Sequence, residues 1–326
     1  MRQRHISVSG YGGPDRLHLL DRPLPPPGPG EVRVRQQAVG VNFVDVYFFR
    51  TGLYPLPGFP AGLGVEAAGV VDAVGDGVGE DWLGRRVAYA GPPVGAYAGC
   101  RNLPLQRLLP LADGLEAETV AAALLRGLTA HMLFAYVLPL RPGDTVLVHA
   151  AAGGLGLILA QWARAAGARV AGTVGSPEKA ALAQAHGVER TIVHTREDFV
   201  AATREFSGGE GADFVIDGIG GETFDRSLDA LAPFGMAASI GHVAGEVRRI
   251  GLDRLHASCP IAVSRPGVFR FVADARRYRE GGEAVLQRLS AGLQVHVGAR
   301  LPLADAAGAH ALLESGRHAG SLLLIP

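Results

Sequence analysis

Cysteine is nearly missing from this chain: Cys100 and Cys259 are the only two in 326 residues, and no Cys-x-x-Cys occurs. Neither a multi-cysteine zinc lobe nor a disulfide framework can be built from two, so a reducing cytoplasm is the expected setting. Nothing around either residue suggests an activated thiolate, and both read as ordinary small residues of core or surface. Lysine is scarcer still, Lys179 being the single one among 31 basic residues. Net charge is absent too, because 31 acids balance those 31 bases. With no basic–aromatic clusters either, a nucleic-acid surface is not expected, nor is attraction to an anionic membrane. Any anion must be held locally. The first ten residues have no apolar run of signal-peptide length and read as the start of the mature fold. The most apolar stretch, 120–140, carries Arg126 and His131 and two helix-breaking signals, Gly127 and Pro139, so buried helices are expected there and not a membrane span. No repeat of fixed period is found.

What is present is a globular composition, 48% apolar with 46 glycines, long enough for about two domains. The first 120 residues are short β-rich runs broken by Gly and Pro, among them 31–35, 67–74 and 85–89, which predict an irregular β-barrel. The proline tract Pro23-Leu-Pro-Pro-Pro-Gly-Pro29 stops directly before a strand and reads as a surface turn. From Asp144 the texture changes to alternating strand and helix: strand 145–150, helix 155–166, strand 169–174, helix 176–186 with a Ser N-cap and Pro177 at its first position, then strand 191–194. Runs at 213–217, 236–240 and 261–264 bring the count toward six, the number in a doubly wound parallel sheet. Helices and a last strand, 321–325, are expected beyond 265.

Ala151-Ala-Gly-Gly-Leu-Gly156 joins the first of these strands to its helix, the context a dinucleotide fingerprint requires. Such a turn lets backbone approach a pyrophosphate, and the N–H groups and dipole of the helix start favour the anion. An NAD site places an acid about twenty residues on, against the ribose 2′-hydroxyl. Here Thr173-Val-Gly-Ser-Pro-Glu-Lys179 has no acid at the strand end and a cation one helical turn later, which suits a 2′-phosphate, so NADPH is expected over NADH. His149, inside a buried strand, reads as a satisfied core histidine.

The segment Gly143-Asp-Thr-Val-Leu-Val-His-Ala-Ala-Ala-Gly-Gly-Leu-Gly156 resembles the signature of the zinc-free, zeta-crystallin-like quinone oxidoreductases of the medium-chain dehydrogenase/reductase superfamily. Further resemblances follow in order: Gly40-Val-Asn-Phe-Val-Asp-Val-Tyr47, Thr51-Gly-Leu-Tyr-Pro55, Gly62-Leu-Gly-Val-Glu-Ala-Ala-Gly69, Leu125-Arg-Gly-Leu-Thr129, 172–179, Ser264-Arg-Pro266 and the C-terminal Leu-Leu-Ile-Pro326. The resemblance implies an α/β protein with a GroES-like β-barrel catalytic domain, 1–122 completed by 266–326, around a Rossmann doubly wound nucleotide-binding domain, 123–265, with substrate entering the cleft. It also implies a homodimer, with 261–264 at the sheet edge where a partner strand can add.

In zinc-dependent relatives three ligands hold the catalytic metal, and the matching positions here are Asn42, Val65 and Arg126. Asn and Arg are poor zinc ligands and Val is none, so no zinc is expected, and the 11 histidines offer no close pair as a substitute. Without a Lewis acid the expected acceptor is one that already takes hydride, a quinone or a conjugated carbonyl. By resemblance Asn42, Tyr47, Tyr54 and Arg126 position the substrate or nicotinamide. The two tyrosines are alternatively core or rim aromatics, Arg126 alternatively a structural partner of Glu66, and no general acid is assigned. Ala152, Gly153, Gly154 and Leu155 match the pyrophosphate turn, and Ser176, Lys179 and His194 the 2′-phosphate end. Thr129, Gly218, Ile240, Gly241, His242, Arg265 and Pro266 match positions toward the nicotinamide, together with Asn42 and Tyr47. The leading expectation is an NADPH-dependent quinone reductase. An alkenal or enone double-bond reductase and a non-catalytic NADPH-binding protein of crystallin type are the alternatives.

Overall fold

The computed structural model describes residues 1–50, 54, 56, 58–247, 249–255 and 260–326, with the side chains of Phe49, Arg50 and Asp253 set aside. Cys259 and four members of the Thr51–Pro55 motif lie outside the described residues. Two compact units are formed, one of residues 1–128 with 269–326, the other of residues 129–268, where borders at 122 and 265 are expected from sequence.

The first unit opens with β1 (Arg2–Val8), β2 (Leu17–Pro23), β3 (Glu31–Val41), helix α1 (Phe43–Arg50), β4 (Ala61–Gly62), β5 (Glu66–Val74), β6 (Arg86–Ala90), β7 (Cys100–Pro104) and β8 (Leu109–Pro110). Helix α2 (Ala117–Ala121) follows, then α3 (Leu124–Met132), whose residues divide between the units at 128, and a π-helical turn of the second unit, Leu133–Val137. The second unit holds β9 (Thr145–Val148), α4 (Gly154–Ala165), β10 (Arg169–Val174), α5 (Pro177–Ala185), β11 (Arg190–Val193), α6 (Phe199–Phe206), β12 (Ala212–Asp217), α7 (Gly221–Asp229), β13 (Leu231–Ser239) and β14 (Ala262–Ser264). The last elements are α8 (Val268–Val272), α9 (Ala275–Ser290), β15 (Val297–Pro302), α10 (Ala306–Glu314) and β16 (Ser321–Ile325).

In the first unit β3 is the hub. One of its edges pairs antiparallel with β5, while the other is shared, Glu31–Arg35 taking β7 and Val39–Val41 taking β16. The C-terminal strand therefore completes the sheet β15-β16-β3-β5-β6-β8, and β2-β1-β4 forms a smaller one. Along β3 buried and outward residues alternate until Val39, after which successive residues are buried, as expected where a strand becomes covered on both faces. Strand β15, helix α1 and the placement of Gly127 depart from the sequence reading. Gly127 lies inside α3 and does not end it: a Cβ there would meet Val285 Cγ2 of α9 at 2.6 Å, so the glycine is a point of close helix packing. The proline tract is a surface segment, as expected, with Pro25 and Pro26 carbonyls accepting from Asn102 Nδ2.

In the second unit six parallel strands run in the order β11-β10-β9-β12-β13-β14, the doubly wound arrangement. Its inner strands are continuous apolar runs because helices cover both faces: Thr145–Val148 is buried throughout, and so is Val170–Val174. Helix starts are fixed locally. Ser176 Oγ accepts from Lys179 N at 3.4 Å with Pro177 at the first helical position, and Asp198 accepts from Ala201 N at 3.0 Å. Strand order reverses between β9 and β12, and the carboxyl ends of those two strands define the crevice in which such sheets bind ligands. Strand β14 is one of the two outer strands, β11 being the other. No helix among the described residues is long and apolar enough to cross a membrane.

Candidate functional site

Strand β9 ends at the reversal point and the chain turns through Ala150–Gly153 into α4. Ala150 takes φ 51°, a left-handed conformation that costs an alanine about 1–2 kcal/mol. Thr173 of β10 holds it there, its Oγ1 accepting from Ala150 N at 3.3 Å and its carbonyl from Ala151 N at 2.9 Å. Gly156 then lies against the turn so closely that a Cβ would stand 2.5 Å from Ala150 O and 2.7 Å from Ala151 Cα. This brings the first turn of α4, with N–H groups that helix geometry leaves without intrahelical partners, to the strand end. Ala152, Gly153, Gly154 and Leu155 occupy that turn, and Ala151 is buried where a first glycine would stand.

Beside it, the turn after β10 gathers Ser176, Lys179 and His194. His194 lies just past the end of β11, exposed, not within the strand as expected; a Cβ on Gly175 would come 3.7 Å from its Nε2. Lys179 is half-buried, and burial holds its ammonium below the usual lysine range. No acid ends β10. Exposed Arg196, two residues beyond His194, was not singled out from sequence; its charge reaches Glu178 on the same turn.

The loops after β12 and β13 meet one another. Ala244 N donates to Ile219 O at 2.8 Å and Val243 N to Gly218 O at 3.4 Å, so Gly218, Ile240, Gly241 and His242 come together. Burial and then the neighbouring Arg265 charge keep His242 below the usual imidazole range, which places Arg265, after β14, in the same group with Pro266 next in sequence. Asp217 at the end of β12 is fully buried and organises the first of these loops: its Oδ1 accepts from Ile219 N at 2.6 Å and Gly220 N at 2.9 Å. An aspartate directly before Gly-Ile-Gly-Gly was the available signal, and the sequence reading missed it. Thr129, on α3, is buried and belongs to this unit by the division above.

In the first unit Asn42 and Arg126 converge on one carboxylate. Asn42 Nδ2 donates to Glu66 Oε1 at 2.7 Å and Arg126 Nη1 donates to the same oxygen at 3.1 Å, while Leu125 N donates to Oε2 at 2.7 Å. Arg126 also donates to Ala122 O at 3.1 Å and Val41 O at 2.6 Å. The guanidinium is thus engaged by the structural partner that was one of its two expectations. Glu66 is fully buried, which pushes its carboxyl up, and the Arg126 charge opposes this. Three donors on two oxygens leave no need for a proton, so the carboxylate form fits the geometry.

Asp45 was not anticipated. It sits three residues after Asn42, at the third position of α1, and its Oδ2 accepts from Asn42 N at 2.9 Å and Tyr97 Oη at 3.1 Å. Tyr97 Oη lies 2.9 Å from His310 Nε2 of α10. Burial raises the Asp45 carboxyl to about 7, and among the described residues its Oδ1 has no partner. Tyr47 is half-buried on α1, and Tyr54 packs its ring on Phe48 at 5.6 Å and Phe269 at 5.1 Å. Val65 is fully buried. The donor set at the positions matched to zinc ligands is therefore an amide, a guanidinium and an isopropyl group, which does not fit a zinc ion. Among the described residues no three His, Cys, Asp or Glu side chains converge to hold a metal. Cys100 is buried, its thiol pushed up by burial, in keeping with an unreactive residue.

Residues 28–123 match the family described as "Alcohol dehydrogenase GroES-like domain", and residues 154–263 that described as "Zinc-binding dehydrogenase". A quinone oxidoreductase of Pseudomonas aeruginosa is 40% identical over 324 residues, 99% of each chain. A 2-haloacrylate reductase of a Burkholderia species is 39% identical, covering 97% of this chain and 96% of its own. The crystal structure of Escherichia coli quinone oxidoreductase complexed with NADPH superposes with a TM-score of 0.93 at 37% identity, over 99% of this chain and all of that one. With this identity over nearly the whole of both chains, on a GroES-like unit and a doubly wound unit, the chain belongs to the quinone oxidoreductase family of the medium-chain dehydrogenase/reductases.

Proposed function

We propose that the protein is an NADPH-dependent quinone reductase that works without zinc. One observation carries the reading above others: quinone oxidoreductases match 99% of this chain at up to 40% identity. The second unit supports the cofactor, because the close-packed Gly156 and the turn at Ala152–Leu155 fit a pyrophosphate. Ser176, Lys179 and His194, with no acid at the end of β10, fit a 2′-phosphate, and Gly218, Ile240, Gly241, His242, Arg265, Pro266 and Thr129 serve the nicotinamide half. When bound, NADPH supplies a hydride, or its electrons singly.

The chain's own part is to bind and orient. Asn42 keeps a second amide N–H after serving Glu66, and by resemblance to the family Tyr47 and Tyr54 serve to position the acceptor or nicotinamide. Arg126, spent on Glu66 and two carbonyls, acts as the support that holds Asn42. The donor set of Asn42, Val65 and Arg126 supports zinc independence, and a quinone, already electrophilic, needs no Lewis acid. A second reading, reduction of an activated carbon–carbon double bond, is favoured by the likeness to a 2-haloacrylate reductase.

The test is stopped-flow loss of NADPH absorbance after dialysis against EDTA, with 1,4-benzoquinone, 9,10-phenanthrenequinone and a short enal. Rapid turnover with the quinones is expected. A preference of about thirtyfold or more for the enal would move the assignment to double-bond reduction, and tight binding with no turnover would make this a binding protein. We also propose a homodimer in a reducing cytoplasm. The edge position of β14 and Phe234, 86% exposed beside it, support the dimer, and the shortage of cysteine supports the compartment. A monomer in sedimentation at micromolar concentration would overturn the dimer.

A further inference from the structure

His149 stands at the carboxyl end of β9, 6% exposed, with nothing in the proposed chemistry assigned to it. Both its ring nitrogens are engaged: Nδ1 lies 3.0 Å from Thr173 Oγ1 and Nε2 lies 2.9 Å from Ser227 Oγ of α7. Burial holds the imidazole neutral, well below its usual range. A neutral ring has one donor and one acceptor, and the partners settle which is which. Ser227 Oγ, whose other two partners are pure acceptors that hold its proton, can only accept from the ring, which makes Nε2 the donor and leaves Nδ1 to accept from Thr173 Oγ1–H. Nε2–H then donates to Ser227 Oγ, whose proton is divided between Asp217 Oδ2 at 3.0 Å and Thr223 O at 2.8 Å. Asp217 Oδ1 receives the N–H groups of Ile219 and Gly220.

Followed in order, these bonds run donor to acceptor from the strained Ala150 to Asp217, on which the N–H groups of Ile219 and Gly220 converge from the other side. They join the ends of β9 and β12, the two strands that flank the reversal point. We propose that His149, with Thr173, Ser227 and Asp217, is a positioning relay that fixes the glycine turn and the loop after β12 as a single binding edge, so that each is set by the other. Chains of aligned hydrogen bonds strengthen one another in a buried setting, and a break in the middle is felt at both ends. The proposal deepens the NADPH reading, on which it rests for its ligand, but its mechanical content concerns the protein alone.

The test uses the full chain and three variants, Ser227→Ala, His149→Leu and His149→Gln. Amide hydrogen exchange without ligand is read over 149–156 and 217–221, with the α9 cap at Arg277 as an internal reference. Ser227→Ala, which touches no atom of the glycine turn, is expected to speed exchange at Ala150 and Ala151 about fivefold or more, with the reference unchanged. Calorimetric binding then compares NADPH with the same nucleotide lacking its nicotinamide. His149→Leu is expected to weaken NADPH at least tenfold and the truncated nucleotide, which keeps the pyrophosphate and so feels only the glycine-turn end, by a smaller factor of at least threefold. Adding Ser227→Ala to it should cost little more, since the two act in one chain. His149→Gln, whose terminal amide can reach the Nε2 position, should recover part of the loss. Faster exchange confined to 217–221, or a truncated nucleotide bound as tightly as by the wild type, would overturn the relay. If the wild-type protein binds neither nucleotide, the cofactor reading fails and the exchange measurement alone decides the relay.

Discussion

Asn42 Nδ2 and Arg126 Nη1 share a single acceptor, Glu66 Oε1, at 2.7 and 3.1 Å. Glu66 is 0% exposed, so its charge depends on these two donors and on Leu125 N at its other oxygen. Arg126→Met should strand a buried carboxylate and cost about 3–5 kcal/mol of unfolding free energy. Removing the charge as well, in Arg126→Met/Glu66→Gln, should cost less than the sum of the two single changes. Urea denaturation of the four proteins of this cycle gives the answer, and strict additivity would show that the pair is energetically independent.

Lys179 is the chain's only lysine and lies at the first turn of α5, where Ser176 caps the helix. Lys179→Ala should raise the Michaelis constant for NADPH about 10–100-fold, the equivalent of one lost charge-assisted hydrogen bond of roughly 1.5–3 kcal/mol, and leave the weaker use of NADH almost unaltered. Steady-state kinetics with both cofactors measure this. Equal catalytic efficiency with NADPH and NADH in the wild-type protein would show that the cluster does not read a 2′-phosphate.

Gly156 faces backbone, not a movable side chain. In Gly156→Ala the new methyl would lie 2.5 Å from Ala150 O, and neither that carbonyl nor Ala151 can retreat without shifting β9 or α4. A loss of about 1–3 kcal/mol in stability is expected, with weaker NADPH binding. Thermal unfolding and calorimetric titration check the two effects separately.

Asp45 gives stability a pH dependence of definite sign. Its carboxyl is held to about 7 in the folded chain against 3.8 ordinarily, so between those values the native state keeps a proton that the unfolded chain has released. Stability from this group is therefore lost as pH rises from about 4 to about 7, by up to about 1.4 kcal/mol per pH unit. His149 acts in the opposite direction, because a ring kept neutral on burial is penalised as pH falls below its unfolded value. Asp45→Asn keeps an acceptor for Asn42 N and cannot ionise. Its denaturation curve should lose the downward slope between pH 4.5 and 7, and a slope equal to wild type would show that Asp45 is ionised when folded.

The second unit was largely legible in the sequence because its information is local. Runs such as Val146–Val148 are apolar throughout, as expected of strands buried on both faces, and Ser176-Pro177 marks a helix start within two residues. In the first unit α1 was concealed by apolar and aromatic residues that suit a strand as well as a helix, and the cap that makes it a helix comes from Asp45, three residues on. Strand β15 was missed because it is half-exposed and pairs only with β16. Gly127 read as a helix breaker since its reason for being glycine, Val285, lies 158 positions away in α9.

By itself, then, the sequence determined the family, the strand–turn–helix that suits a pyrophosphate, the absent acid and present cation that suit a 2′-phosphate, and a donor set unfit for zinc. Each of these is a matter of residue identity within a short window. Only the tertiary structure decided that Arg126 is spent on Glu66, that Asp45 is an acid held near 7, and that His149 stands midway along a chain of bonds from Ala150 to Gly220. Those properties depend on burial and on partners brought from distant strands. A side chain's charge, tautomer and free valence are fixed by what surrounds it, and the surroundings exist only after folding.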